Sequence, residues 1–298
     1  QNEVVKEEKR LRMDNQPYGN FVKEVKRNLF TLHPYRWETI GSMEHLDAAK
    51  LEEFQAFNKK FYIPNNAVLV VAGNFEIPQA IKWIHKYYDP IKKGTPVVKQ
   101  TYTEAPITQT IHAKYEDPNI QIPAIITAYR TPSMKTRDAR VLELISSLLS
   151  DGKSSRLYKK MVDDKKMALQ VGAFSFSQED YGMYIIYGLP LGKNTPESLV
   201  KEIDEEITKL QTELISERDL QKLQNKIESE YVNKNAGIEG IAESLATYYL
   251  LYGDVNLVNT DIETYRTVTR EEIRDIARKY LNPNQRLLLD YVPSKSQN

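Results

Sequence analysis

Glu8 is the residue whose type and position most suggest chemistry. In the segment Glu3–Arg12, at about 100° per residue, Val4, Val5 and Leu11 gather into one apolar stripe with Glu8 in its middle, while Lys6, Glu7 and Arg10 point elsewhere. A carboxylate centred on a buried face is costly unless a cation answers it. Two readings follow. Glu8 forms an ion pair with an Arg or Lys of a neighbouring helix, or it binds a metal ion.

Other residue types narrow the chemistry further. The four histidines are His33, His45, His85 and His112. None lies four residues from another, and neither H-E-x-x-H nor H-x-x-E-H occurs, so these residues hold no complete zinc motif. His33, followed by Pro34-Tyr35, reads as a structural hydrogen-bonding residue in a loop. Gly152-Lys153-Ser154 resembles the end of a phosphate loop, but the glycine required upstream is replaced by Ser147 and the surrounding pattern is helical. No nucleophile elbow is present. The chain has no cysteine, which excludes disulfides, thiol catalysis and Cys-zinc sites. Its 41 Lys+Arg balance 41 Asp+Glu, which argues against a nucleic-acid partner or a membrane surface. No run approaches the ~18 apolar residues of a membrane span. The 19 tyrosines read as packing residues at helix–sheet interfaces.

The elements that must position these residues are marked by a repeat. Leu51–Gly73 (LEEFQAFNKKFYIPNNAVLVVAG) aligns without a gap to Arg270–Val292 (REEIRDIARKYLNPNQRLLLDYV), 219 residues later. Glu52-Glu53 matches Glu271-Glu272, Phe54 and Phe57 match Ile273 and Ile276, and Pro64-Asn65 matches Pro283-Asn284. The run Val68–Val70 matches Leu287–Leu289. Each copy reads as an amphipathic helix, a Pro-Asn stop and a buried strand. Phe54, Phe57, Val68 and Val70 are therefore expected in a core, as are Ile273, Ile276, Leu287 and Leu289. The repeat predicts two homologous domains. Residues 1–95 are expected to be the C-terminal part of the first, 96–107 a linker rich in Pro, Lys and Thr, and 108–298 the second. The first copy ends too early for a domain of the second one's size, so that domain is expected to be incomplete, with roughly 100 or more residues ahead of Gln1. The expected architecture is α+β: in each domain a largely antiparallel sheet, its strands joined by short turns such as Gln178–Tyr181, with helices packed on one face.

Several segments together resemble the inverted-motif zinc metallopeptidases of the pitrilysin and insulinase type, especially the shorter bacterial members and the mitochondrial processing peptidases. They are EVVKEEKRLRMDNQP at Glu3–Pro17, His33–Tyr35 with Ile40-Gly41, FYIPNNAVLVVAGNF at Phe61–Phe75, and LLSDGKSSRLYKKMV at Leu148–Val162. They occur in the family's order and span most of the chain. The resemblance implies zinc held by two His of an upstream H-x-x-E-H helix and by a distal Glu, which carries over to Glu8, with Glu7 facing away. It places the catalytic general base upstream as well. It further implies an Arg/Tyr pair near Ala168–Leu189 that holds the substrate carbonyl. That stretch offers Tyr181 and Tyr184 as candidates but no Arg, so the Arg would come from a related partner subunit or homodimer, or the polypeptide is inactive. The expected function is a zinc-dependent endopeptidase acting on peptides, with this 298-residue piece alone inactive. The alternative is a non-catalytic homologue serving as the binding or scaffolding half of a heterodimer.

Overall fold

The computed structural model describes residues 1–294. Helix α1 (Asn2–Lys9) runs into a π-helical turn, Arg10–Asp14, and is followed by α2 (Phe21–Leu29), α3 (Met43–Ala48), α4 (Leu51–Phe61) and α5 (Ile77–Tyr88). Strands β1 (Ile111–Asp117) and β2 (Ala124–Pro132) precede α6 (Arg137–Ser150), a π-helical segment (Tyr158–Asp164) and the hairpin β3 (Ala168–Ser177) and β4 (Tyr181–Pro190). Then come α7 (Pro196–Thr212), α8 (Glu217–Lys234), α9 (Ile238–Thr247) with a π-helical turn Tyr248–Tyr252, α10 (Leu257–Arg266), α11 (Arg270–Tyr280) and β5 (Arg286–Pro293).

The strands form one sheet in the order β1-β5-β2-β4-β3, antiparallel at every junction except β1–β5. The inner strands are rich in Ile, Tyr and Ala and buried on both faces, as a covered sheet requires. On one face lie α6, α7 and α11. Ser146 and Ser150 of α6 both donate to the Ala173 carbonyl of edge strand β3. A Cβ on Gly188 would come within 2.8 Å of Leu199, so the glycine lets α7 approach β4. Arg286 of β5 forms a forked pair with Asp204 of α7. The opposite face carries α2, whose Val25 and Leu29, with Phe30 beyond them, share a core with Ile126, Ala128, Met183, Ile185, Leu287, Leu289 and Tyr291.

Packing divides the chain into two units. One comprises Gln1–Gly41, Tyr102–Lys226 and the described residues from Glu263 onward; the other comprises Ser42–Thr101 and Ile227–Ile262. The division expected from the repeat and the division by packing do not coincide, because α2, within the residues 1–95 expected to belong to the first domain, is buried against the five-stranded sheet.

The repeat is visible in the backbone. α4 and α11 are each 11 residues long, and in each a glutamate three residues after the cap, Glu53 or Glu272, accepts from the cap's own N–H. The helix ends agree (Tyr62 φ −90°, ψ 67°; Leu281 φ −97°, ψ 46°), a 3₁₀ turn begins at Pro64 or Pro283, and the chain leaves it extended (Ala67 −133°, 152°; Arg286 −127°, 162°). The burial differs. Ile273, Leu287 and Leu289 are buried and Ile276 is half-buried, but Phe54 and Phe57 are 55% and 57% exposed and Val68 and Val70 only half-buried. The expected core of the first copy is thus corrected, as is its strand: among the described residues, 67–72 pair with nothing, since the second copy's neighbours β1 and β2 have no counterpart beside them. Ala49-Lys50, both extended, separates α3 from α4, and α10 is an element the sequence pattern does not announce.

Candidate functional site

Helix α1 does not bury the stripe that the sequence suggests. Val4 and Leu11 are 69% and 61% exposed, while Lys6 and Lys9 are buried. Lysine achieves this by burying its aliphatic stem and keeping its ammonium paired; Lys6 Nζ reaches Glu3 at 2.8 Å and Lys9 Nζ reaches Asp14 at 2.7 Å. The expectation that Glu8 sits among buried apolar side chains is therefore corrected. Its side chain is 44% exposed and its carboxylate meets Arg12 Nε at 3.2 Å. Glu7 is paired with Arg10 at 3.1 Å.

The far end of this helix is fixed. The Asp14 carbonyl accepts from Asn119 Nδ2 at 2.8 Å. Tyr18, held in the left-handed region at φ 60°, donates its N–H to Asp117 and its hydroxyl to the Ile122 carbonyl. The buried Asp117 carboxylate also takes the Tyr291 hydroxyl at 2.7 Å and the Asn119 N–H at 2.7 Å. Glu8 thus stands on a short helix anchored at its C-terminal end to the edge of the sheet. The same local sequence of elements, helix, five-residue π turn, helix, recurs at α9–α10. Two residues before these π turns stand Glu8 in the one and Ala246 in the other.

No group of three His, Asp or Glu among the described residues can hold a metal ion. A structural or catalytic zinc needs at least three protein ligands. The residues present therefore do not make a zinc site; Glu8 can supply one ligand to a site completed elsewhere.

The two tyrosine candidates fare differently. Tyr184 is fully buried, opposite Tyr129 in the β2–β4 register, and its hydroxyl has no hydrogen-bond partner among the described residues. Burial pushes its phenol well up, and Tyr129 adds to the rise. A substrate-holding role for Tyr184 is corrected on that placement, because the side chain does not reach a surface. Removing an unpaired buried hydroxyl costs little, so Tyr184→Phe is expected to change unfolding free energy by less than about 1 kcal/mol. A loss above about 3 kcal/mol in urea unfolding would show a bonded hydroxyl. Tyr181 is half-buried, and its hydroxyl accepts from Glu104 N–H at 3.1 Å and donates to the Tyr102 carbonyl at 3.4 Å.

Tyr181 belongs to a polar junction that sequence reasoning missed. Glu104, in a stretch that reads as linker, is buried and accepts from the backbone N–H groups of Thr31, Leu32 and His33 and from the Thr31 hydroxyl, at 2.7–2.9 Å. Arg130 lies 3.4 Å from it and donates to the Leu29 and Ala105 carbonyls. Burial pushes the Glu104 carboxyl up, but the His33, Leu32 and Thr31 donors outweigh it and bring it to about 2. His33 has the structural role expected: Nδ1 accepts from Tyr35 N–H at 3.1 Å, Nε2 faces Asp180 at 3.3 Å, and the ring packs among Phe30, Tyr35, Tyr102 and Tyr181. A buried carboxylate in a Pro/Lys/Thr-rich run has no periodic signal, so nothing local in the sequence distinguishes Glu104 from a solvated one.

Comparison with known proteins agrees with this architecture. The chain is 24% identical over 289 residues to the zinc protease PqqE of Helicobacter pylori, covering 95% of this chain and 64% of that protein. It is similar in fold to the crystal structure of a protease from Helicobacter pylori (TM-score 0.90, 23% identity, 98% of this chain and 71% of that one) and to the peptidase M16 inactive domain from Pseudomonas fluorescens (TM-score 0.83, 14% identity, 100% and 70%). The chain spans less than two thirds of the length of the curated relatives it matches, 64%, 62% and 61% for three of them. No helix among the described residues is long and apolar enough to cross a membrane. Residues 48–227 match the model of the peptidase M16 inactive domain, and with more than half its length inside that match the chain belongs to this family, the inverted-motif peptidases that its sequence resembles.

Proposed function

We propose that this chain is the larger part of a zinc-dependent endopeptidase, in which residues 1–95 close a first, metal-binding domain, 96–107 link the two, and 108–298 form a second, homologous domain without a metal site. The observation that carries this reading is Glu8: a half-exposed carboxylate on an anchored helix, with Arg12 as its ion-pair partner. An exposed i,i+4 pair contributes only a few tenths of a kcal/mol, so a metal ion can displace Arg12 at small cost. The remaining zinc ligands and the general base lie ahead of residue 1 in this reading, and the names of the relatives, zinc proteases in several bacteria, support it.

Zinc in the complete site supplies an activated water. What the described residues contribute is one negatively charged ligand, held in place by the Asp117–Tyr18–Asn119 anchor, and a second domain that bounds the peptide. An oxyanion formed on attack needs a positioned donor. Ala168–Leu189 has no Arg, and the neighbouring Arg130 is engaged by Glu104 and two carbonyls. The donor therefore comes from a related chain, a partner subunit or a second copy. The test is hydrolysis of an unfolded peptide in the presence of zinc. The 298 residues alone are expected to show none, and the longer polypeptide is expected to reach full rate only with that second chain present. Metal-dependent cleavage by the 298 residues alone would overturn the reading. Full activity from a longer monomer would remove the partner from it.

The alternative, a non-catalytic homologue serving as the binding or scaffolding half of a heterodimer, follows from the absence of an Arg in Ala168–Leu189. It requires that the longer polypeptide bind no zinc.

A further inference from the structure

Helix α1 is not keyed into place by apolar side chains. Its buried residues are Lys6 and Lys9, while Val4 and Leu11 stay exposed. Its fixed points lie at its C-terminal end, where the chain turns sharply. A Cβ on Gly19 would lie 2.3 Å from the Met13 carbonyl oxygen, and Asn20 Nδ2 donates to that same oxygen at 3.4 Å. One carboxylate of the sheet organises this turn. Asp117, the buried last residue of β1, accepts the Tyr18 N–H at 3.2 Å and the Tyr291 hydroxyl at 2.7 Å on Oδ2, and the Asn119 N–H at 2.7 Å on Oδ1. Asn119, so held, donates its side chain at 2.8 Å to the carbonyl of Asp14, the last residue of the π turn that continues α1. Two routes therefore run from Asp117 to the end of the helix, one through Tyr18 and one through Asn119. Tyr291 holds the carboxylate from β5, in register with Tyr115 of β1.

We propose that Asp117 is a positioning residue for Glu8: the edge of the five-stranded sheet sets where α1 stands, so that the metal ligand is carried by the second domain. The inference rests on the zinc reading above and adds to it a dependence of metal affinity on a residue that touches neither the metal nor Glu8. Glu8 lies six residues before Asp14, about 9 Å along a helix, so a tilt of about 5° at the anchor moves it by about 0.8 Å. Zinc–ligand distances hold to within about 0.2 Å, so a loosened anchor costs affinity. Three donors converge on Asp117, whereas an amide offers one acceptor oxygen and a donating NH2. Asp117→Asn therefore disturbs both routes at once.

Hydrogen exchange and zinc titration of the longer polypeptide test this. Without metal, Asp117→Asn is expected to speed exchange of the α1 amides at least ~10-fold while the amides of β2 and β4 keep their rates. With zinc, the dissociation constant is expected to rise at least ~10-fold, as it does when a group supporting a metal ligand is removed. Asn119→Ala, at an exposed position, opens one route only and is expected to act in the same direction with a smaller effect. Glu104→Ala is the control for lost stability: it disturbs the same packed unit at Thr31–His33, away from α1, and is expected to leave the zinc dissociation constant within about threefold. Zinc affinity unchanged by Asp117→Asn, or lowered as much by Glu104→Ala, overturns the proposal. So does faster exchange spread evenly over α1, β2 and β4, which would make Asp117 a residue of general stability. A longer polypeptide that binds no zinc, yet loosens α1 alone on Asp117→Asn, fails the zinc reading and keeps Asp117 as the residue that positions the helix.

Discussion

Glu104→Ala is expected to destabilise the chain by about 3–5 kcal/mol, the cost of removing one partner from a buried charged network. Three consecutive backbone N–H groups, the Thr31 hydroxyl and Arg130 converge on this carboxylate, and its loss leaves them buried without an acceptor. Glu104→Gln keeps one acceptor oxygen and is expected to lose less. The pH dependence has a definite sign. The folded-state carboxyl titrates near 2, below its ordinary 4.5, so its contribution is fully present above about pH 4.5 and fades as the pH falls from there towards 2. A shift of that size corresponds to roughly 3 kcal/mol. Urea unfolding at pH 7 and pH 3 checks both statements: the gap between wild type and Glu104→Ala should narrow at the lower pH. A variant within about 1 kcal/mol of wild type at pH 7 would mean that the junction is not held by this charge.

Glu8→Gln in the longer polypeptide is expected to lower peptide hydrolysis by at least about 100-fold, while Glu7→Gln stays within about threefold. A zinc ligand contributes to both metal retention and charge balance at the metal, whereas Glu7 makes an exposed ion pair with Arg10. Arg12→Ala separates the ligand role from the ion pair: it removes the partner of Glu8 and is expected to leave activity nearly unchanged. Equal losses from Glu7→Gln and Glu8→Gln, or a loss on Arg12→Ala as large as on Glu8→Gln, would sink the assignment.

The strands of the second repeat were legible because both of their faces are buried, which leaves unbroken apolar runs such as Met183-Tyr184-Ile185-Ile186-Tyr187 in β4. The helices carry a local signal of another kind: the side chains of Thr136, Thr195 and Thr269 accept from the N–H groups of Ala139, Ser198 and Glu272 at the starts of α6, α7 and α11. Residues 67–72 have the same apolar text without the neighbours, and pairing is a property of the neighbours. Helix α1 misled because apolar periodicity assumes that the apolar stripe finds the core. Here lysine stems occupy that place, while Val4 and Leu11, which flank Glu8 on the helix face, stay exposed and Val5 is only half-buried. The Glu104 junction joins residues 71–77 positions apart in sequence through backbone donors, and a backbone donor has no side-chain identity to read.

In the proposed site Glu8 is one ligand of a zinc ion whose other ligands lie outside the described residues. Metal analysis of purified protein after dialysis checks this. The expected result is one zinc per longer polypeptide, lost on Glu8→Gln and retained on Glu7→Gln, with none bound stoichiometrically by the 298-residue chain. One zinc per 298-residue chain, or one per longer polypeptide that survives Glu8→Gln with unchanged affinity, would contradict it.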